Sequence, residues 1–275
     1  MNKIAIIADI HGNREALKTA IKDIKTRDCD QIICLGDIIA KGKFPNECVE
    51  LIRQNCDVVL RGNCDDYFTK SHDSENLTEQ EKQRIHAMAE ALSLENREYL
   101  SHLPFCHEFY LSGRLVRVFH AGPDTAYNYT NTLMNASIDD KYKMFEPNTL
   151  TLSDHVADIV VYGHIHLPFM NKLFNRTLIC CGSVGNNLDF IRDDKRDANI
   201  FNTTCVNYVI LNGFLDAKKH DTLDIEFVQV PYDIEKELND SNRISEDLSL
   251  YYELKHGRYR DSQKVNSLLN KTSSR

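Results

Sequence analysis

The sequence predicts an α/β fold, with a largely parallel sheet early in the chain and a second sheet later. Three observations carry that expectation. Between Ile4 and Leu60, short apolar runs alternate with segments of helical periodicity. Those runs are continuously apolar, as in strands covered on both faces. Beyond Asp158, further short runs succeed one another with turn residues between them. At 275 residues and 42% hydrophobic content, the chain has the apolar surface for a full core, so one large domain with insertions is expected.

In order, Ile4 to Ala8 forms the first strand. The Gly12-Asn13 turn then leads into a helix over Glu15 to Lys25, where Ala16, Leu17, Ala20, Ile21 and Ile24 share a face. A second strand runs from Gln31 to Leu35, and Cys48, Val49, Leu51 and Ile52 mark a second helix. A third strand, Asp57 to Leu60, ends at Arg61-Gly62-Asn63. Such strand-helix repetition requires right-handed crossovers and parallel pairing. From about Ser74 to His102 the pattern is helical: Thr78 and Glu81 form a capping box, and a second helix starts at Ser93 or Leu94 and stops before Pro104. Two extended segments meet at Ser112-Gly113, the second being Leu115 to Phe119. Residues 124–154 are expected to form a helical insertion or lid. Strands over Asp158 to Tyr162, Leu173 to Cys180, Cys205 to Leu211 and Leu223 to Val230 complete a body spanning residues 1–235, with turns at Asn175-Arg176 and Asn212-Gly213. Residues 236–275 form a C-terminal extension, helical or partly flexible.

A formal net charge of -8 excludes a general field for an extended nucleic-acid surface or an anionic membrane. An anionic substrate would need local positive charge, which metal ions supply compactly. The run Ile4 to Ala8 is too short for a membrane span and lacks the layout of a signal peptide, so a cytoplasmic location is expected. The nine cysteines are odd in number and without a disulfide-framework spacing, which fits reduced, mostly buried thiols.

Residues able to bind metal stand where the apolar runs end: Asp9 and His11, Asp37, Asn63, His120, and His164 and His166. In an open α/β sheet the carboxyl ends of strands border the ligand crevice. In Asp9-Ile10-His11 and His164-Ile165-His166 an extended backbone would present both polar side chains from one side. Carboxylate and imidazole together suit Mn²⁺, Fe²⁺ or Zn²⁺. Seven candidate ligands exceed one tetrahedral ion but suit two divalent ions bridged by one carboxylate, which could hold a hydroxide between them. Alone, each motif has a bland explanation as a turn, a cap or a structural histidine; their ordered combination does not.

These residues resemble the calcineurin-like metallophosphoesterases. The matching pieces are Asp9-Ile10-His11-Gly12-Asn13, Gly36-Asp37, Gly62-Asn63-Cys64-Asp65, Val118-Phe119-His120-Ala121-Gly122 and Gly163-His164-Ile165-His166, with Gly182-Ser183-Val184-Gly185 more loosely. The resemblance implies a four-layer α-β-β-α sandwich. It also implies that Asp9, His11 and His166 hold one metal, Asn63, His120 and His164 the other, and that Asp37 bridges. Within the family the chain is similar to the bacterial phosphodiesterases and to the longer asymmetric diadenosine tetraphosphate hydrolases. Protein phosphatases of the family carry a histidine where this chain has Cys64, paired with the acid corresponding to Asp65. A neutral thiol cannot replace an imidazolium as leaving-group acid.

The expected activity is therefore hydrolysis of phosphodiester or phosphoanhydride bonds of a small nucleotide-type substrate, with two divalent ions, Mn²⁺ or Fe²⁺/Fe³⁺ before Zn²⁺. Asp37, Asn63, Asp65 and Arg14 are the candidate catalytic residues. Two alternatives stand beside it: a phosphomonoesterase or serine/threonine protein phosphatase, and a non-catalytic binding scaffold. Tyr127 and Tyr129 could stack on a base from the lid, His86 reads as a solvated helix residue, and the charged run Asp189 to Asp197 reads as a solvated loop. A homo-oligomer is left open.

Overall fold

The computed structural model describes residues 1–68, 79–128, 130–192, 198–202, 204–241 and 249–257. It opens with β1 (Asn2–Ile7), α1 (Arg14–Thr26), β2 (Gln31–Cys34), α2 (Pro45–Asn55) and β3 (Val58–Val59), as the apolar periodicity predicts. The strands β1, β2 and β3 pair in parallel. The helix α1 starts where the Asn13 side chain caps Ala16 N at 3.1 Å. After a 3₁₀ turn (Asp65–Phe68) come α3 (Glu79–Ala91), α4 (Leu94–Ser101), β4 (Cys106–Leu111), β5 (Arg114–Phe119), α5 (Ile138–Lys143) and β6 (Ile159–Tyr162). The rest comprises β7 (Phe169–Leu173), β8 (Arg176–Cys180), β9 (Leu188–Arg192), β10 (Ala198–Asn202), β11 (Cys205–Gly213), β12 (Asp224–Pro231), α6 (Ile234–Ser241) and α7 (Ser249–His256).

Two five-stranded sheets, ordered β12-β11-β1-β2-β3 and β4-β5-β6-β8-β7, face each other. Strand alternation builds the layers. Ile4, Ile6, Ala8 and Ile33 point toward Val116, Val118, Ile159 and Val161 to make the inter-sheet core. Their neighbours Ala5, Ile7 and Cys34 pack instead against Leu17, Ile21, Cys48 and Val49 of α1 and α2. The outer face of the second sheet is covered by Leu133, Met144 and Phe145. The α/β architecture with two sheets and flanking helices is thus the expected one.

Several local expectations change. Among the described residues, 124–154 are mostly turns around one short helix, α5, because Pro and Asn residues and small polar clusters interrupt helical runs there. The turn expected at Asn175-Arg176 falls one residue earlier, at Phe174 and Asn175, and it separates β7 from β8, so Leu173 to Cys180 is not one strand. Asn212-Gly213 continues β11, since Gly213 still pairs with Asn2. The charged run after Asp189 begins within a β9-β10 hairpin; its residues 193–197 lie outside the described residues, as do Thr78, Tyr129 and the chain beyond residue 257. Among the described residues no helix is long and apolar enough to cross a membrane.

Candidate metal centre

The candidate ligands sit at the carboxyl ends of parallel strands of both sheets: Asp9 and His11 after β1, Asp37 after β2, Asn63 after the edge strand β3, His120 after β5, and His164 and His166 after β6. The backbone there is not extended, contrary to the expectation for the Asp-x-His and His-x-His pairs. Asp9, His11, Asp37, His164 and His166 have φ of 56°, 51°, 53°, 69° and 62°. Left-handed conformations cost side-chain-bearing residues free energy and persist only where surroundings enforce them. Here the first two strand-end loops are stitched together: Asp9 N bonds Gly36 O at 3.0 Å, His11 N bonds Asp37 O at 2.9 Å, and His164 N bonds Asp9 Oδ2 at 2.8 Å.

The Gly-Ser-Val-Gly element buttresses the same turn. Ser183 Oγ and Gly185 N both donate to Asp9 O, at 2.7 and 2.9 Å. A Cβ at Gly185 would lie 1.8 Å from Ile10 O, so only glycine fits.

Three imidazoles are oriented from behind. Their Nδ1 atoms lie on backbone carbonyls: His11 on Ile39 O at 3.3 Å, His120 on Leu35 O at 3.1 Å and His166 on Asn186 O at 2.8 Å. A carbonyl only accepts, so each Nδ1 carries the proton and each Nε2 presents a lone pair. These lone pairs face one another or other acceptors. His11 Nε2 lies 3.0 Å from His166 Nε2, and His120 Nε2 lies 3.1 Å from Asn63 Oδ1 and 3.2 Å from His164 Nδ1.

Asp37 directs one carboxylate oxygen to each side, with Oδ2 3.6 Å from His11 Nε2 and Oδ1 3.6 Å from His120 Nε2. Asp9 Oδ1 has His11, His120 and His166 nitrogens within 4.0 Å, yet among the described residues it accepts no hydrogen bond. A buried convergence of acceptors is repulsive unless a cation occupies it, so these residues fit divalent metal. Asp9, His11 and His166 form one candidate ligand group, and Asp9, Asp37 and His120 another.

Burial alone would raise the Asp9 carboxyl, but His166, His120 and His11 outweigh it and hold it below the usual carboxylate range. Burial pushes His11 and His164 down, aided by Lys41 for His11 and by His120 for His164. Both of these rings are thereby biased toward the neutral form that a metal ligand requires.

The other candidates have different partners. Asp65 is buried and accepts from Ile38 N at 3.0 Å and Gly62 N at 2.9 Å, so it clamps the loops that carry Asp37 and Asn63. Burial and the nearby Asp37 raise its carboxyl to about 7. Arg14 pairs with Glu15 and with Asp240 of α6, and its guanidinium lies 3.8 Å from the Phe44 ring centroid. Tyr127 reaches from the insertion to Asn63 O at 3.2 Å. His86 is exposed beside Glu90. Cys180 and Cys181 are buried core thiols.

Sequence patterning missed Lys41. It lies in a tight turn closed by Gly42 N on Ala40 O at 2.7 Å, with φ of 71° at Ala40 and 61° at Lys41. Its positive field reaches His11, His164 and Cys64. The signal was a lysine five residues after Gly36, beside a glycine whose Cβ would meet His11 O at 2.5 Å.

A family model for calcineurin-like phosphoesterases matches residues 2–168, which include every candidate ligand. The chain belongs to this family. Calcineurin-like phosphoesterases are metal-dependent hydrolases of phosphate esters, and the acceptor-lined centre of this member suits that chemistry. An uncharacterized protein of Methanocaldococcus jannaschii, MJ0912, is 31% identical over 248 residues, covering 85% of this chain and 89% of its own. Among solved structures, the fold matches a metallophosphoesterase from Sphaerobacter thermophilus with a TM-score of 0.66 at 22% identity, covering 93% of this chain and 99% of that one. It also matches the hypothetical protein PH1004 from Pyrococcus horikoshii with a TM-score of 0.67 at 19% identity, covering 92% and 98%.

Proposed function

We propose that this phosphoesterase hydrolyses phosphodiester or phosphoanhydride bonds of a small nucleotide-type substrate, of which diadenosine tetraphosphate is an example, at a two-metal centre. Asp9, His11 and His166 would hold one ion, Asn63, His120 and His164 the other, and Asp37 would serve both. The observation that carries this assignment is the division of Asp37, one oxygen 3.6 Å from His11 and the other 3.6 Å from His120.

Bound there, two divalent ions would activate water and neutralise phosphoryl charge. The chain's own residues supply the rest. The carbonyl-bound Nδ1 atoms of His11, His120 and His166 fix the ring orientations. Asp65 holds the Asp37 and Asn63 loops, and Lys41 adds positive charge on the side of His11. Cys64 offers no imidazolium for an alkoxide leaving group, which favours substrates whose leaving group is a nucleotide or aryl oxyanion. Tyr127, 40% exposed beside Asn63, supplies an aromatic face next to the centre, suited to a base.

Asp37→Asn tests the assignment. It should reduce bound metal and lower turnover of bis(p-nitrophenyl) phosphate by at least about 100-fold. Unchanged metal content and turnover in a metal-replete preparation would reject it. A panel comparing diadenosine tetraphosphate, p-nitrophenyl phosphate and a phosphoserine peptide tests the substrate class. Preference for the phosphopeptide would reverse that part.

A further inference from the structure

Cys64 lies beside Asp37 with its own chemistry unassigned. Its Sγ, a His11 imidazole nitrogen and an Asp37 carboxylate oxygen all lie within 4.8 Å of one another. In a tetrahedral site, metal-sulfur and metal-nitrogen bonds of about 2.3 and 2.1 Å separate the two ligand atoms by about 3.6 Å. A small movement of the half-buried Cys64 therefore brings its sulfur into an inner coordination sphere shared with His11 and Asp37.

The surroundings already hold the residue for that role. Cys64 N donates to Asp37 Oδ1 at 2.8 Å, which fixes the backbone beside the carboxylate. Asn63 Nδ2 lies 3.5 Å from Cys64 Sγ, while Asn63 Oδ1 lies 3.1 Å from His120 Nε2. The amide thus gives its donor to the sulfur and leaves its oxygen for the centre. Asp9 Oδ1, fully buried and 3.9 Å from His11 Nε2, accepts no hydrogen bond among the described residues and independently marks the His11 side as a cation site.

We infer that Cys64 supplies a sulfur ligand to the ion held by His11 and Asp37, making that position selective for thiophilic divalent ions. The inference rests on the two-metal assignment above and deepens it. The thiol loses its proton to solvent on coordination, as any cysteine ligand does. A mixed sulfur, nitrogen and oxygen set favours Zn²⁺, Co²⁺ or Fe²⁺ over Mn²⁺ and Mg²⁺. That order differs from the one the carboxylate and imidazole residues alone suggest.

The test uses the full chain loaded with Co²⁺ and read by absorption spectroscopy, with no substrate. Wild type should show visible ligand-field bands together with a near-ultraviolet sulfur-to-cobalt charge-transfer band. Cys64→Ala and Cys64→Ser should keep the visible bands, lose the near-ultraviolet band, and lower the ratio of Zn²⁺ to Mn²⁺ affinity by at least about tenfold. The difference spectrum removes any contribution from the other cysteines. Visible bands with no charge-transfer band, or with one that persists in Cys64→Ala, would overturn the sulfur ligand and leave the metal centre standing. Failure of wild type to bind Co²⁺ at all would overturn the metal centre, and the sulfur ligand with it.

Discussion

Arg117 of β5 is fully buried, and its replacement by methionine isolates a single electrostatic cluster beneath the second sheet. The guanidinium donates to Glu108 Oε1 at 2.6 Å, to Phe145 O at 2.9 Å and to His155 O at 2.7 Å. Methionine keeps the apolar stem and removes all three bonds. Phe145 O retains the Ala157 N donor at 3.0 Å, and His155 is exposed, so water can replace the third bond. The loss therefore concentrates on Glu108, whose side chain is 6% exposed and would be left without its cation. Breaking a buried pair this way costs about 3 to 5 kcal/mol. Urea unfolding at pH 7.5 measures it, provided the slope with denaturant is unchanged. Adding Glu108→Leu should recover about 1 to 3 kcal/mol, because the stranded charge is gone. Phe145 O and His155 O belong to the segment between β5 and β6, so limited proteolysis should cut residues 124–156 faster in Arg117→Met. A loss under about 1 kcal/mol, or a double variant costing the full sum, would refute the assignment.

Glu237 of α6 is buried against Arg14 and Glu15, and burial, with Glu15 adding to it, raises its carboxyl from 4.5 to about 7. The unfolded chain then loses this proton first as pH climbs. Glu237 stabilises the fold fully below its unfolded pKa, progressively less between about 4.5 and about 7, and at a constant lower level above. Glu237→Gln keeps the acceptor for Glu15 N, so its stability advantage over wild type should grow to about 3 kcal/mol by pH 8 and vanish near pH 4. Paired thermal melts across that range check it, and a flat difference would count against the raised carboxyl. Gly42→Ala would push a Cβ to 2.5 Å from His11 O. It should therefore lower metal affinity, measured by calorimetric titration, by more than tenfold while costing about 1 to 3 kcal/mol of stability.

Much of the fold was legible because its central strands are buried on both faces. Ile4 to Ala8 and Ile159 to Tyr162 are continuous apolar runs, and the polar residues just beyond each run are there for a chemical reason. The candidate ligand positions could be read from that contrast alone. Their backbone could not: alternating polar and apolar residues look extended, whereas left-handed turns at Asp9, His11, His164 and His166 depend on hydrogen bonds from loops distant in sequence. Arg14 illustrates the same limit. Its place at the start of α1 was readable, but its pairing with Asp240 rests on α6 returning across α1, which no local pattern records. The β9-β10 hairpin was hidden by charged residues that read as a solvated loop. Lys41 was hidden because its only sequence signal, a lysine beside Gly42, gains meaning once the close approach of Gly42 to His11 O is known.

The antiparallel pairing of β1 with β11 has a temporal consequence. Asn2 through Ile6 find their partners at Gly213 through Val209, about 200 residues later. At ribosomal speeds of about 5 to 20 residues per second, that partner arrives roughly 10 to 40 s after β1 is made. Throughout that interval one edge of an apolar strand remains open to any other extended chain. Nascent copies of this protein should therefore be clients of holding chaperones until the last strands of the first sheet emerge, and only afterwards can the finished rim collect its ions.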